Sequence, residues 1–140
     1  MKHLTLPNDI ETIPQLNEFI DGFCEERGIG MNVSMRLNLA IEEAVVNVMN
    51  YAYPKGMVGY VDIDVEADEK IITFVISDTG MPFDPTRKAD ADVTLSVEER
   101  PIGGLGIHLV RQIIDEISYR YADHKNILTL RKKLNKQEAL

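Results

Sequence analysis

Cysteine occurs once in the 140 residues, at Cys24, which excludes an internal disulfide and a zinc site built from several thiolates. Tryptophan is absent and aromatic residues make up only 6%, so the core has to come from aliphatic side chains. No apolar run approaches the roughly 20 residues of a membrane-spanning helix. The opening Met1-Lys2-His3-Leu4-Thr5-Leu6-Pro7 lacks the apolar stretch of a secretory leader, and a cytoplasmic protein is expected. Positive charge is short as well: 15 Lys and Arg against 23 Asp and Glu leave a net charge of -8. Such a field repels phosphodiester backbones and anionic membrane surfaces, so neither nucleic acid nor a membrane is an expected partner. A nucleotide is not excluded, because a loop of backbone N–H groups and one metal ion outweigh distant carboxylates.

What is present suits one hydrophobic core, and residues 1–140 are expected to form a single domain. Lys2 to Leu6 alternates like a short strand stopped by Pro7-Asn8-Asp9. Ile13, Leu16, Phe19, Ile20 and Phe23 recur at helical spacing before Gly28 and Gly30. A second, longer helix from Val33 to about Ala52 carries Leu37, Ile41, Ala44, Val45 and Val48 on one face, with Asn32 as its expected cap. Tyr60 to Val65 alternates with period two, Asp68-Glu69-Lys70 reads as a hairpin turn, and Ile71 to Ser77 is a nearly unbroken β-branched and aromatic run. Met81 to Ile102 has no sustained period and reads as a long loop with room for one helical turn. Ile107, Val110, Ile113, Ile114 and Ile117 again follow a helical period, and two strands, Ser118 to Ala122 and Asn126 to Lys132, flank a turn at Asp123-His124-Lys125. This order predicts an α/β (α+β) two-layer sandwich, a mostly antiparallel sheet covered on one face by helices.

Three short segments carry chemistry. Glu43, Asn47 and Asn50 stand at i, i+4 and i+7 of the long helix and form one polar stripe. The plain reading is a solvated face, but Asn is a poor helix former and two in one stripe call for a reason. An Asn carbonyl suits Mg²⁺, which takes oxygen ligands and shares them with phosphates, and Glu43 one turn away could accept a proton from a nucleophile. Asp78-Thr79-Gly80 closes the most apolar strand. A carboxylate there can accept from a purine amino group, and the glycine lets a ring approach the backbone; equally, the triplet is an ordinary turn. It is also the aspartic protease triplet, but no second copy exists in the chain to complete a dyad. Gly103-Gly104-Leu105-Gly106 offers N–H groups and a helix N-terminus to phosphates, or else a simple hinge; no Gly-Lys-Ser/Thr follows to make a Walker A loop.

Taken together and in this order, the segments resemble the GHKL, or Bergerat-fold, ATPase superfamily. Glu43-Ala44-Val45-Val46-Asn47 resembles its N box, Asp78-Thr79-Gly80-Met81-Pro82-Phe83-Asp84-Pro85 its G1 box, and Gly103-Gly104-Leu105-Gly106 its G2 box. The small size and the Pro-Phe-Asp-Pro continuation look most like the anti-sigma-factor serine/threonine kinase branch. The resemblance implies Mg–ATP bound beneath a lid at about residues 83–102, with Glu43 as catalytic base and Asn47 as the Mg²⁺ ligand. It further implies Asp78 as acceptor of the adenine amino group, Gly80 packed beside it, Gly104 and Gly106 at the phosphates within the loop Gly103-Gly104-Leu105-Gly106, and Thr129 near adenine. Asn50 departs from the His of many such kinases, and Met81-Pro82 replaces a second glycine of other branches. Arg87, Lys88 and Arg100 are the basic lid residues within reach of a γ-phosphate.

The activity implied is phosphoryl transfer to a STAS-domain anti-anti-sigma protein, with a sigma factor as a possible second partner and a homodimer as a possible assembly. A non-catalytic ATP-binding switch is the alternative. A histidine-kinase core has less support, since His3, His108 and His124 fall in a terminus, a helix and a turn.

Overall fold

The computed structural model describes residues 1–87 and 106–134. Its elements are β1 (Lys2–Pro7), α1 (Ile13–Glu26), α2 (Met31–Tyr51), β2 (Tyr60–Ala67), β3 (Ile71–Asp78), α3 (Gly106–Ile113), β4 (Glu116–Ala122) and β5 (Lys125–Lys133), with 3-10 turns at Ile10–Thr12 and Pro85–Arg87. The five strands form one sheet in the order β1-β2-β3-β5-β4, and every neighbouring pair is antiparallel. The expected architecture is the observed one.

Strand alternation builds the core. Val61, Ile63 and Val65 of β2, Ile72, Phe74 and Ile76 of β3, and Leu128 and Leu130 of β5 are buried in phase on one face. Leu16, Ile20 and Phe23 of α1, Leu37, Ile41, Val45 and Val48 of α2, and Val110 of α3 belong to the same apolar cluster. The central helix α2 packs against both α1 and α3. A helix whose apolar stripe meets the apolar face of a sheet gives the two-layer arrangement.

Local chemistry sets the ends of these elements. Gly28 at φ 68 terminates α1, and the Ile29 N–H donates to Cys24 O, which is how a left-handed residue closes a helix. Asp68 Oδ1 accepts the N–H groups of Lys70 and Ile71 in the β2–β3 hairpin. Asp123 and His124, at φ 53 and 62, form the two-residue β4–β5 turn, where two positive φ values match the twist of the flanking strands. On the edge strand β1, the His3 imidazole bridges Asp62 and Asp64 of β2.

Two expectations shift. The cap of α2 is Gly30 with no side-chain bond, and Asn32 lies inside the helix. The third helix stops at Ile113, so Ile117 belongs to β4. The loop after Met81 does contain one helical turn, at Pro85–Arg87, and its remainder, residues 88–105, lies outside the described residues.

Candidate nucleotide-binding site

The alternation that buries Phe74 and Ile76 continues one step further along β3 and buries a carboxylate. Asp78 is 3% exposed. Its Oδ1 accepts the Gly80 N–H at 2.8 Å and the Asn126 Nδ2 amide at 2.9 Å, while its Oδ2 is buried without a hydrogen-bond partner among the described residues. Burial raises the Asp78 pKa above the ordinary carboxylate value, and the donors from Asn126 and Gly80 partly oppose that shift. The result is an acceptor held in fixed orientation with one oxygen left over.

A second unpartnered oxygen lies on α2. Asn47, 1% exposed, has a buried Oδ1 with no hydrogen-bond partner among the described residues. Buried polar atoms are nearly always paired, because leaving one unpaired costs about 1–3 kcal/mol. Two such oxygens stand at positions singled out by the sequence, and an unpaired buried acceptor is open to a ligand, an ion or a water.

The two elements are locked together at the end of α2. Met81 N–H donates to Ala52 O at 2.7 Å. A Cβ on Gly80 would stand 2.4 Å from that same carbonyl oxygen, so only glycine permits this approach. Tyr53 adds a second tie: its hydroxyl donates to Tyr60 O at 2.7 Å and accepts the Thr79 N–H at 3.2 Å. Asn47 lies five residues before Ala52 on α2, about 7.5 Å along the helix axis. The beginning of the expected lid is anchored to the same corner. The Phe83 ring stacks on Tyr51 with centroids 5.3 Å apart, and Arg111 of α3 donates to Thr86 O at 2.6 Å.

Glu43, one turn before Asn47, is half-buried on α2 and engaged in an interaction of its own. Asn50 is exposed and lines, with Asn8, Tyr51 and Tyr53, a groove whose lining includes neither Asn47 nor Asp78. Gly106 opens α3, whereas Gly103, Gly104 and Leu105, together with Lys88 and Arg100, lie outside the described residues.

Thr129 is not brought to Asp78. It pairs in register with Val75 and Ser118, out of phase with the buried Asn126, Leu128 and Leu130, and so faces away from the helices. The residue opposite Asp78 is Asn126, which the sequence reading treated only as the start of a strand. A signal existed: Asn126, like Lys132, is in phase with the buried Leu128 and Leu130, and a short amide on the buried face of a strand needs partners there.

These residues suit Mg–ATP. Among the described residues no group of three His, Cys, Asp or Glu side chains could hold a metal alone. A lone Asn carbonyl instead matches a hard cation that draws its other ligands from phosphates and water. Among the described residues no helix is long and apolar enough to cross a membrane.

Comparison with known proteins agrees with this geometry. The chain is 28% identical over 94 residues to the serine/threonine-protein kinase BtrW of Bordetella bronchiseptica, covering 67% of this chain and 66%, just under two thirds, of that relative. It is 24% identical over 129 residues to the serine-protein kinase RsbW of Bacillus cereus, covering 89% of this chain and 80% of RsbW. Its fold superposes with a TM-score of 0.62 on a crystal structure of RsbU and RsbW domains from Mycobacterium tuberculosis, at 14% identity over 96% of this chain and 33% of that one. A mycobacterial sensor histidine kinase, MprB, follows at a TM-score of 0.54 and 19% identity, over 93% of this chain and 97% of that one. The sequence matches the histidine kinase-like ATPase domain over residues 6–132, and the chain belongs to that family.

Proposed function

We propose that this chain binds Mg–ATP and transfers the γ-phosphoryl group to a serine or threonine hydroxyl of a small STAS-domain regulator, with a sigma factor as a competing partner. The observation that carries the reading is the pair of buried, unpartnered oxygens, Asn47 Oδ1 and Asp78 Oδ2. Asp78 Oδ2 is an acceptor matched to the amino group of adenine. Asn47 Oδ1 supplies one oxygen to the cation. Gly80 keeps the floor of the pocket at backbone height, and the loop from Gly103 to Gly106 supplies N–H groups to phosphates at the start of α3. Bound Mg–ATP supplies the transferable phosphoryl group and its charge neutralisation. Glu43, beside Asn47 on the same helix face, accepts the proton of the attacking hydroxyl. The kinase names of BtrW and RsbW support phosphoryl transfer as the activity.

A second reading, an ATP-gated binding module without chemistry, draws on a specific feature. Asn126 connects Asp78 to Met81 and Phe83 at the start of the lid segment, so occupancy at Asp78 would bias that segment and any partner resting on it. Glu43→Gln separates the two. With purified STAS-domain partner and radiolabelled ATP, phosphoryl transfer should fall by at least about 10²-fold while ATP affinity stays within about twofold. Unimpaired transfer removes Glu43 as the base. Unchanged partner exchange, together with no transfer by wild type, favours the gated module.

A further inference from the structure

Asn126 sits at the meeting point of β3, β4, β5 and the lid base, and its amide is fully used. Nδ2 donates to Asp78 Oδ1 at 2.9 Å and to Met81 O at 2.8 Å. Oδ1 accepts the Phe83 N–H at 2.9 Å and the Tyr119 hydroxyl. Met81 O only accepts and Phe83 N–H only donates, so the amide cannot be turned over, and both donors and both lone pairs are spent. Asn126 is 3% exposed and has no spare atom for a ligand. Its action on a ligand must pass through Asp78.

On the reading of the Asp78 pocket as an ATP site given above, we infer that Asn126 is the positioning residue that sets the purine preference of this chain, by engaging Asp78 Oδ1 so that Oδ2 alone faces the base. An ionised Oδ2 accepts from the 6-amino group of adenine and repels the 6-oxo group of guanine. Without the Asn126 donor, the carboxylate is held by the Gly80 N–H alone and has lost one of the two hydrogen bonds that favour its ionised form in a buried setting. A protonated carboxyl donates to a 6-oxo group. Loss of the Asn126 amide therefore erodes the distinction between the two purines, beyond any general weakening of the pocket.

Two variants isolate the donor. Asn126→Thr and Asn126→Val have nearly the same shape and both favour strands, but only threonine retains a hydroxyl to donate across the β3–β5 pair to Asp78. Dissociation constants for Mg–ATP and Mg–GTP, measured calorimetrically on wild type and both variants, give the preference ratio. The ratio should fall by at least about tenfold in Asn126→Val, as expected for loss of a hydrogen bond to a charged group, and stay within about threefold of wild type in Asn126→Thr. Asn126→Ala replaces the valine variant, with the same expectation, if the latter does not fold. Parallel weakening of both nucleotides with an unchanged ratio, or equal loss in the valine and threonine variants, overturns the role of Asn126 and leaves the ATP site standing. A folded wild type that binds neither nucleotide overturns the site reading, and this role with it.

Discussion

At the scale of single residues, the site is marked by unfavourable local choices. A buried carboxylate with one unpartnered oxygen costs folding free energy, which a nucleotide bound as proposed would recover. Because burial raises the folded-state pKa of Asp78, folding favours its protonated form. The associated stability is fully present below the ordinary carboxylate pKa and is lost as pH rises through the raised value. Asp78→Asn should therefore raise the melting temperature of the ligand-free protein by about 2–5 °C near neutral pH, and the gap should close in acid. Thermal melts of both proteins between about pH 4 and pH 8 check this; a variant less stable than wild type at neutral pH contradicts it. Asp78 and Asn47 were legible in the sequence because a carboxylate ending an apolar strand and an amide inside a helix break local rules. Family resemblance names Thr129 but does not give strand phase. Counting by twos from Leu128 puts Asn126, not Thr129, on the buried face.

At the scale of elements, the strands and helices were readable because each has one buried face and so one clear period. Their ends were less so. The cap of α2 is set by the backbone of Gly30 where the chain turns out of α1, a long-range requirement to which the neighbouring Asn32 contributes no side-chain cap. Ile117 fits the helical period of α3 and the alternation of β4 equally, and pairing with Leu130 decides for the strand. The contact between the end of α2 and the turn after β3 was half legible: the glycine was evident, its neighbour Ala52 was not. Gly80→Ala would force a Cβ to within 2.4 Å of Ala52 O and disturb the Met81 bond to the same oxygen. Chemical denaturation should show a loss of about 1–3 kcal/mol, accompanied by weaker ATP binding. Unchanged stability would mean that the α2–β3 contact yields freely and does not fix the pocket.

At the scale of the whole molecule, three elements distant in sequence supply one corner. Helix α2 brings Asn47, with Glu43 one turn before it, β3 and the turn after it bring Asp78 and Gly80, and β5 brings Asn126 opposite Asp78. The apolar cluster that joins α2, β3 and β5 fixes their relative positions. A ligand that meets two unpartnered oxygens of the folded state should stabilise it by about 2.7 kcal/mol at a hundredfold excess over its dissociation constant. Calorimetric titration with ATP, with and without Mg²⁺, on wild type, Asn47→Ala and Asp78→Asn tests this arrangement most directly. Wild type should bind Mg–ATP, Asp78→Asn should bind at least about tenfold more weakly, and Asn47→Ala should lose the affinity gained from Mg²⁺. A folded wild type with no affinity for ATP, or an Asp78→Asn variant binding as tightly as wild type, would contradict the assignment of the two buried oxygens to the nucleotide.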